Sequence, residues 1–207
     1  MTAIDLEAFR NTELVRDPYE YVVVSDFLKP DALDAINNDY PKLKRHGSYP
    51  VSEVDHGPSF TALLDELASG PVARAFAEKF EINLTDRPTM VTVRGHCHAK
   101  DGRIHPDSDD KLITVLIYLN TDWENPNGRL RILRSKNDIE DYAAEVPPQA
   151  GTLLAFRRSD RSFHGHTTYV GERRVIQLNW VLDDNVVRRE QARHRRSARI
   201  KKWLPFI

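Results

Sequence analysis

The period of the hydrophobic pattern changes once along the chain. Up to about Arg87, apolar positions recur mostly at helical spacing. Beyond it they fall in short runs rich in β-branched residues. In the first part, Tyr19–Leu28 carries valines and aromatics and predicts a strand. Lys29-Pro30-Asp31 then opens a helix, with Pro30 in its first turn and Ala32, Leu33 and Ile36 as an apolar stripe. Residues 41–58, with Pro41, Gly47, Pro50 and Gly57, predict an irregular loop. Two helices follow, one on Phe60, Leu63, Leu64 and Leu67, the other on Val72, Ala75, Phe76 and Phe80. In the second part the expected strands are Thr89–Arg94, Lys111–Asn120, Arg129–Leu133, Gly151–Phe156 and Arg173–Leu182. Turn residues such as Asp101-Gly102, Asn127-Gly128, Pro147-Pro148 and Gly171 separate them. Strands at this cadence predict a sandwich or open barrel, with the helices packed on one sheet.

Composition narrows the class. The 207 residues are 40% hydrophobic and 29% charged, with a net charge of -1, which suits one globular domain with a sizeable core. Cys97 is the only cysteine, so an internal disulfide and a four-cysteine zinc site are both excluded. Near-neutral charge argues against a dedicated nucleic-acid binder. No apolar run approaches the ~20 residues of a membrane span, and the acidic start is unlike a signal peptide, so a cytoplasmic setting is expected.

The chemistry concentrates in the β-rich part. His105 and Asp107 stand two apart, so on extended backbone they point to the same face. Downstream, Phe163-His164-Gly165-His166 offers a third ligand, and alternation alone does not choose between His164 and His166. Two histidines and one carboxylate on one face of an octahedron leave three positions open, the arrangement that suits ferrous iron with a bidentate cosubstrate and O2. Ten residues past His164, Arg174 opens the last strand, where an arginine at the mouth of a barrel can grip a carboxylate through two hydrogen bonds. Tyr118, on the strong strand before Asn120, can donate a hydroxyl to the same group.

These residues resemble a known family. His105-Pro106-Asp107, the strand to Asn120, Asp122-Trp123, Gly128–Arg131, Ser159-Asp160-Arg161, His164 and Arg174 together resemble the 2-oxoglutarate- and Fe(II)-dependent dioxygenases, and among them the prolyl 4-hydroxylase-like subgroup. The resemblance covers roughly residues 88–183. It implies a mainly β, α+β fold: a double-stranded β-helix (jelly-roll) core over 88–183, N-terminal strand and helices over 1–87, and a basic C-terminal helix over 184–207, in one domain. It implies His105, Asp107 and His164 as iron ligands, the interval to the arginine favouring His164 over His166. It implies Arg174 as the partner of the far carboxylate of 2-oxoglutarate, Tyr118 as a second contact, and Leu130 and Trp180 as walls of that pocket. Of the adjacent Arg173 and Arg174, the shared face with Trp180 favours Arg174. The implied cosubstrates are 2-oxoglutarate and O2, with ascorbate as a further candidate. The implied reaction hydroxylates an unactivated C–H of an organic or peptide substrate and releases succinate and CO2. The carboxylate at Asp107 favours hydroxylation over halogenation, which needs that position open.

Two rival readings are weighed against this one. His96-Cys97-His98 is similar to the His-x-His of cupin metalloproteins, but no glutamate follows it. A catalytically silent binding barrel conflicts with the complete ligand set. Arg131, Arg134, Arg157, Arg158 and Arg161 form either a solvated rim or a basic mouth for an acidic substrate. The arginine-rich segment from Val186 is expected to be a helix packed on the barrel, with an interaction arm as its rival.

Overall fold

The computed structural model describes residues 2–190, 192 and 193. Helix α1 (Leu6–Asn11) is capped by Asp5, whose side chain accepts a hydrogen bond from the Ala8 amide at 2.9 Å. Strand β1 (Tyr21–Val24) and helix α2 (Pro30–Asn38) follow, the latter starting on a proline. After the short strand β2 (Tyr49–Pro50) and one 3-10 turn (Val51–Glu53) come α3 (Pro58–Leu67) and α4 (Gly70–Lys79). The remaining strands are β3 (Thr89–Cys97), β4 (Lys111–Tyr118), β5 (Leu130–Leu133), β6 (Tyr142–Val146), β7 (Leu153–Arg157), β8 (His164–Gly165) and β9 (Gly171–Val181).

Six strands build a major antiparallel sheet in the order β1-β7-β4-β9-β3-β2. Three build a minor sheet, β6-β5-β8, which His105 extends by a bridge to His164. The two sheets enclose the barrel interior, as the double-stranded β-helix expectation requires. The N-terminal segment is integral to the major sheet, because β1 pairs with β7 and β2 with β3.

The sheet separates two cores. On its outer face Ile113, Val115 and Ile117 of β4 and Ile176, Leu178 and Trp180 of β9 pack against Phe60, Leu63, Val72 and Phe76 of the helices. This face explains why α3 and α4 read so plainly as amphipathic: each lays one apolar stripe on an apolar sheet. On the inner face Tyr118, Leu154, Phe156 and Val175 meet Leu130 and Ile132 of the minor sheet.

Several elements depart from expectation, among them the two-residue strands β2 and β8. Strand β3 runs on through His96 and Cys97 by way of a register shift after Arg94, where a loop is expected. Helix α1 and strand β6 are too short and too polar to stand out in the hydrophobic pattern. Residues 184–190 are helical with Val186 buried, and the rest of the expected basic C-terminal helix lies outside the described residues. Among the described residues no helix is long and apolar enough to cross a membrane.

Candidate active site

The stretch before β4 runs antiparallel to β8, and His105 and His164 are directly opposed. Each amide donates to the other's carbonyl at 3.1 Å. This pairing brings the two imidazoles to 4.5 Å between ring centroids. Asp107, two residues on, points the same way. Ligand atoms of His105, Asp107 and His164 lie within 4.8 Å of one another, and no other such group of histidine, cysteine and acidic side chains occurs among the described residues.

Local hydrogen bonds orient each donor. Nδ1 of His105 is 2.8 Å from the Arg103 carbonyl, and Nδ1 of His164 is 2.9 Å from the Ser162 carbonyl. A carbonyl only accepts, so in each neutral ring the proton sits on Nδ1 and the Nε2 lone pair is free for a metal. Burial pushes the His164 imidazole down to about 4, reinforced by His105 and opposed by Asp107. It is therefore neutral, as a ligand must be, well below pH 7. For Asp107 burial works to raise the carboxyl, but Lys111, His164 and the hydrogen bonds from Lys111 and Thr114 outweigh it and hold the group at about 2. Lys111 Nζ lies 2.7 Å from Oδ1, and Thr114 Oγ1 lies 2.5 Å from Oδ2.

The strand β9 pairing corrects two expectations. Val175 is the register partner of Tyr118, and cross-strand partners point to the same face. Tyr118 faces the interior, so Arg173, Val175, Gln177 and Asn179 face it too. Arg174 and Trp180, expected in the cosubstrate pocket, lie on the opposite face. Trp180 packs on Phe76 with ring centroids 4.9 Å apart. The Arg174 guanidinium, about a third exposed, pairs with Glu172 at 2.5 Å and lies over the Tyr40 ring. The physical cause is the helical layer: it demands the drier of the two faces, and Ile176, Leu178 and Trp180 supply it.

Arg173 is the interior arginine. It is 4% exposed, donates from Nε to the Gly128 carbonyl at 2.9 Å, and holds its guanidinium 5.2 Å from the centre of the Tyr118 ring. Gly128 sits at φ 76°, and a Cβ there would come within 3.0 Å of Tyr169 and 3.1 Å of Trp123. The expected Asn127-Gly128 turn therefore needs its glycine and presents its carbonyl to the arginine. Arg173 Nη2 and the Tyr118 hydroxyl are both buried and lack a hydrogen-bond partner. A buried cation and a buried hydroxyl side by side in the interior, neither facing an acceptor, fit the carboxylate end of a small acid. Leu130 lies in the same interior cluster as Tyr118.

The remaining candidates fall elsewhere. His166 belongs to the wall near Arg173 rather than to the metal group, and burial, with Arg173 adding to it, lowers it to about 4. His98 stacks on His46 at 4.8 Å, and His96 is likewise outside the metal group. Burial raises the Cys97 thiol despite nearby Arg173 and Arg94. The arginine rim is largely neutralised: Arg131 pairs with Glu140 and Glu145, Arg134 with Asp141, Arg157 with Glu20, and Arg158 with Asp109 and Asp160.

A double-stranded β-helix holding two histidines and one carboxylate, with an open face beside a buried arginine, defines the class of mononuclear non-haem iron oxygenases. Comparison with known proteins gives the family. Residues 91–182 match the model of the 2OG-Fe(II) oxygenase superfamily, and together with the His105, Asp107 and His164 group this match supports a 2-oxoglutarate-dependent dioxygenase that uses Fe(II), 2-oxoglutarate and O2. Among solved structures, a Pseudomonas putida prolyl-4-hydroxylase matches with a TM-score of 0.57 and 15% identity, over 85% of this chain and 90% of the other. A prolyl 4-hydroxylase from Phytophthora capsici gives 0.60 and 19%, over 87% and 66%. The viral collagen prolyl hydroxylase of Paramecium bursaria Chlorella virus-1 gives 0.52 and 17%, over 78% and 96%. No curated protein matches the sequence.

Proposed function

We propose that this dioxygenase hydroxylates an unactivated C–H bond of a prolyl or other protein side chain. One atom of O2 enters the product and the other enters succinate as 2-oxoglutarate loses CO2. His105, Asp107 and His164 hold the iron through Nε2, a carboxylate oxygen and Nε2. Arg173, with Tyr118, takes the remote carboxylate of 2-oxoglutarate, and Leu130 walls the pocket. Bound iron supplies the one-electron chemistry that activates O2 toward a C–H bond. The chain fixes the cosubstrate at both ends and keeps the Nε2 lone pairs free of protons. Among the solved structures of the same fold are a prolyl-4-hydroxylase and a collagen prolyl hydroxylase, which supports a peptide substrate.

The observation that carries the reading is the pair of buried, unpartnered donors, Arg173 Nη2 and the Tyr118 hydroxyl, on the interior face shared with the metal group. The test is anaerobic titration of the Fe(II) protein with 2-oxoglutarate, read from the visible charge-transfer band. Arg173→Met should weaken 2-oxoglutarate binding by about 30-fold or more, since a buried charge-assisted contact is worth roughly 2–5 kcal/mol. Arg174→Met should stay within about twofold, because an exposed ion pair contributes little. The reverse ranking would overturn the pocket assignment. Succinate release stimulated by proline-containing peptides then tests the substrate class.

A further inference from the structure

Asp107 is the one ligand of the candidate metal centre with two equivalent donor atoms. A carboxylate that binds through both oxygens would occupy a position that a bidentate cosubstrate and O2 need. Something must keep it to one.

The surroundings of Asp107 are asymmetric. Oδ1 meets Lys111, whose side chain is 14% exposed and ends a long unbranched stem. Oδ2 meets Thr114, which is 1% exposed and fixed in the middle of β4 by pairing with both β7 and β9. Thr114 has a single proton. At 2.5 Å from a carboxylate, that proton goes to Oδ2. The second neighbour of the hydroxyl is the Asn179 amide, with its oxygen placed at 3.0 Å. Asn179 is 1% exposed, and its Nδ2 has no partner. An oxygen gains nothing from a hydroxyl that has already given its proton. Turning the amide over brings its NH2 to the Thr114 lone pair and satisfies the orphan nitrogen, and the Gln177 amide, whose Nε2 is placed 3.4 Å from the same Asn179 atom, turns with it so that its oxygen accepts from that NH2. Asn179 then donates to Thr114, and Thr114 donates to Asp107.

We propose that Thr114, held by Asn179, is a positioning residue that pins one oxygen of Asp107 to the sheet, so that the carboxylate meets the metal through a single oxygen. This rests on the metal centre assigned above. In that role the hydroxyl touches neither substrate nor metal.

Mn(II) binding to the full chain without 2-oxoglutarate, followed by electron paramagnetic resonance, tests it. Thr114→Val keeps the shape and removes the donor, and it should weaken Mn(II) about 10–100-fold, the usual effect of losing a hydrogen bond to a ligand. Thr114→Ser restores the donor and should return affinity to within about threefold of wild type. Asn179→Leu leaves the hydroxyl in place and should lose less than Thr114→Val. In Co(II)-loaded protein, Thr114→Val should also change the intensity of the visible ligand-field bands, which report coordination number. Wild type that binds while Thr114→Val binds equally well would overturn the positioning role alone, as would Ser and Val variants weakened alike. Wild type that takes up no Mn(II) would overturn the metal centre and this inference with it.

Discussion

The two faces of strand β9 have the same backbone and opposite duties. Past Arg174, which pairs with Glu172 at its exposed end, the outer face of Ile176, Leu178 and Trp180 is sealed under α3 and α4 and has the indole N–H as its one polar side-chain group. The inner face, Arg173, Val175, Gln177 and Asn179, carries a buried cation and amides. One of its atoms, Arg173 Nη2, is left without a partner. Burial alone does not tell these faces apart, since Trp180 is 2% exposed and Asn179 1%. What differs is what the buried atoms still lack. A face that only stabilises satisfies itself, whereas a face built for a ligand keeps open hydrogen-bonding capacity.

The largest effect expected from this contrast is on the outer face. Trp180→Ala removes a large side chain packed on Phe76 and should cost about 3–5 kcal/mol of stability. Urea denaturation measures the loss. At a temperature where the variant is still folded, its 2-oxoglutarate affinity should stay within about twofold of wild type. A large specific loss of affinity without a loss of stability would return Trp180 to the pocket and undo the division of faces.

That division also marks where the sequence stops being informative. Most of the strands and the two amphipathic helices follow from period-2 alternation and the 3.6-residue stripe, the two-residue spacing puts His105 and Asp107 on one face, and the family resemblance adds His164. Neither period tells which side of a strand faces helices and which faces a ligand, so a face shared with Trp180 points to Arg174 where the structure has Arg173. The usable signal was polarity. Of the two faces of Arg173–Leu182, the one with Gln177 and Asn179 suits a polar pocket, and the one with Ile176 and Leu178 suits a dry helical layer. Thr114 carries no motif at all. It becomes visible only when β4 places it beside a side chain seven residues earlier in the chain. Strand β8, with two residues, is too short for any pattern and exists because it pairs with β5.

The next effect belongs to the inner wall and is set by pH. His164 and His166 are both held at about 4 by burial, below their ordinary 6.5. Between those values the unfolded chain binds protons that the folded chain does not, so stability of the metal-free protein rises with pH across this window. It is lost as pH falls from about 6.5 toward 4. Each histidine contributes on the order of 2–3 kcal/mol at the low end. Asp107, held at about 2, has the same sign but acts below its ordinary 3.8, outside this window. Both histidines lowered in this way belong to the inner wall, so the dependence is a property of that wall. Thermal unfolding at pH 7 and pH 5 should show the drop, and His166→Gln should remove part of it. Saturating Mn(II) should protect the remainder near neutrality, since metal binds the neutral imidazole. A flat profile from pH 7 to 5 would show that neither ring is buried as a neutral base.

The smallest effect concerns Lys111, on the carboxylate oxygen that Thr114 does not hold. Its ammonium helps to keep Asp107 ionised while the site holds no metal, and then stands beside any dication that arrives. At neutral pH Asp107, held at about 2, is charged, so the influence of Lys111 on an arriving metal is repulsion between the ammonium and the dication, softened by partial exposure. Lys111→Met should therefore tighten Mn(II) binding about three- to tenfold at pH 7.5, in the direction opposite to Thr114→Val, and the gain should shrink at high salt. Weaker Mn(II) binding by Lys111→Met would mean that both oxygens of Asp107 need to be held. The pinning of the carboxylate would then be shared between the sheet and a flexible side chain rather than assigned to Thr114.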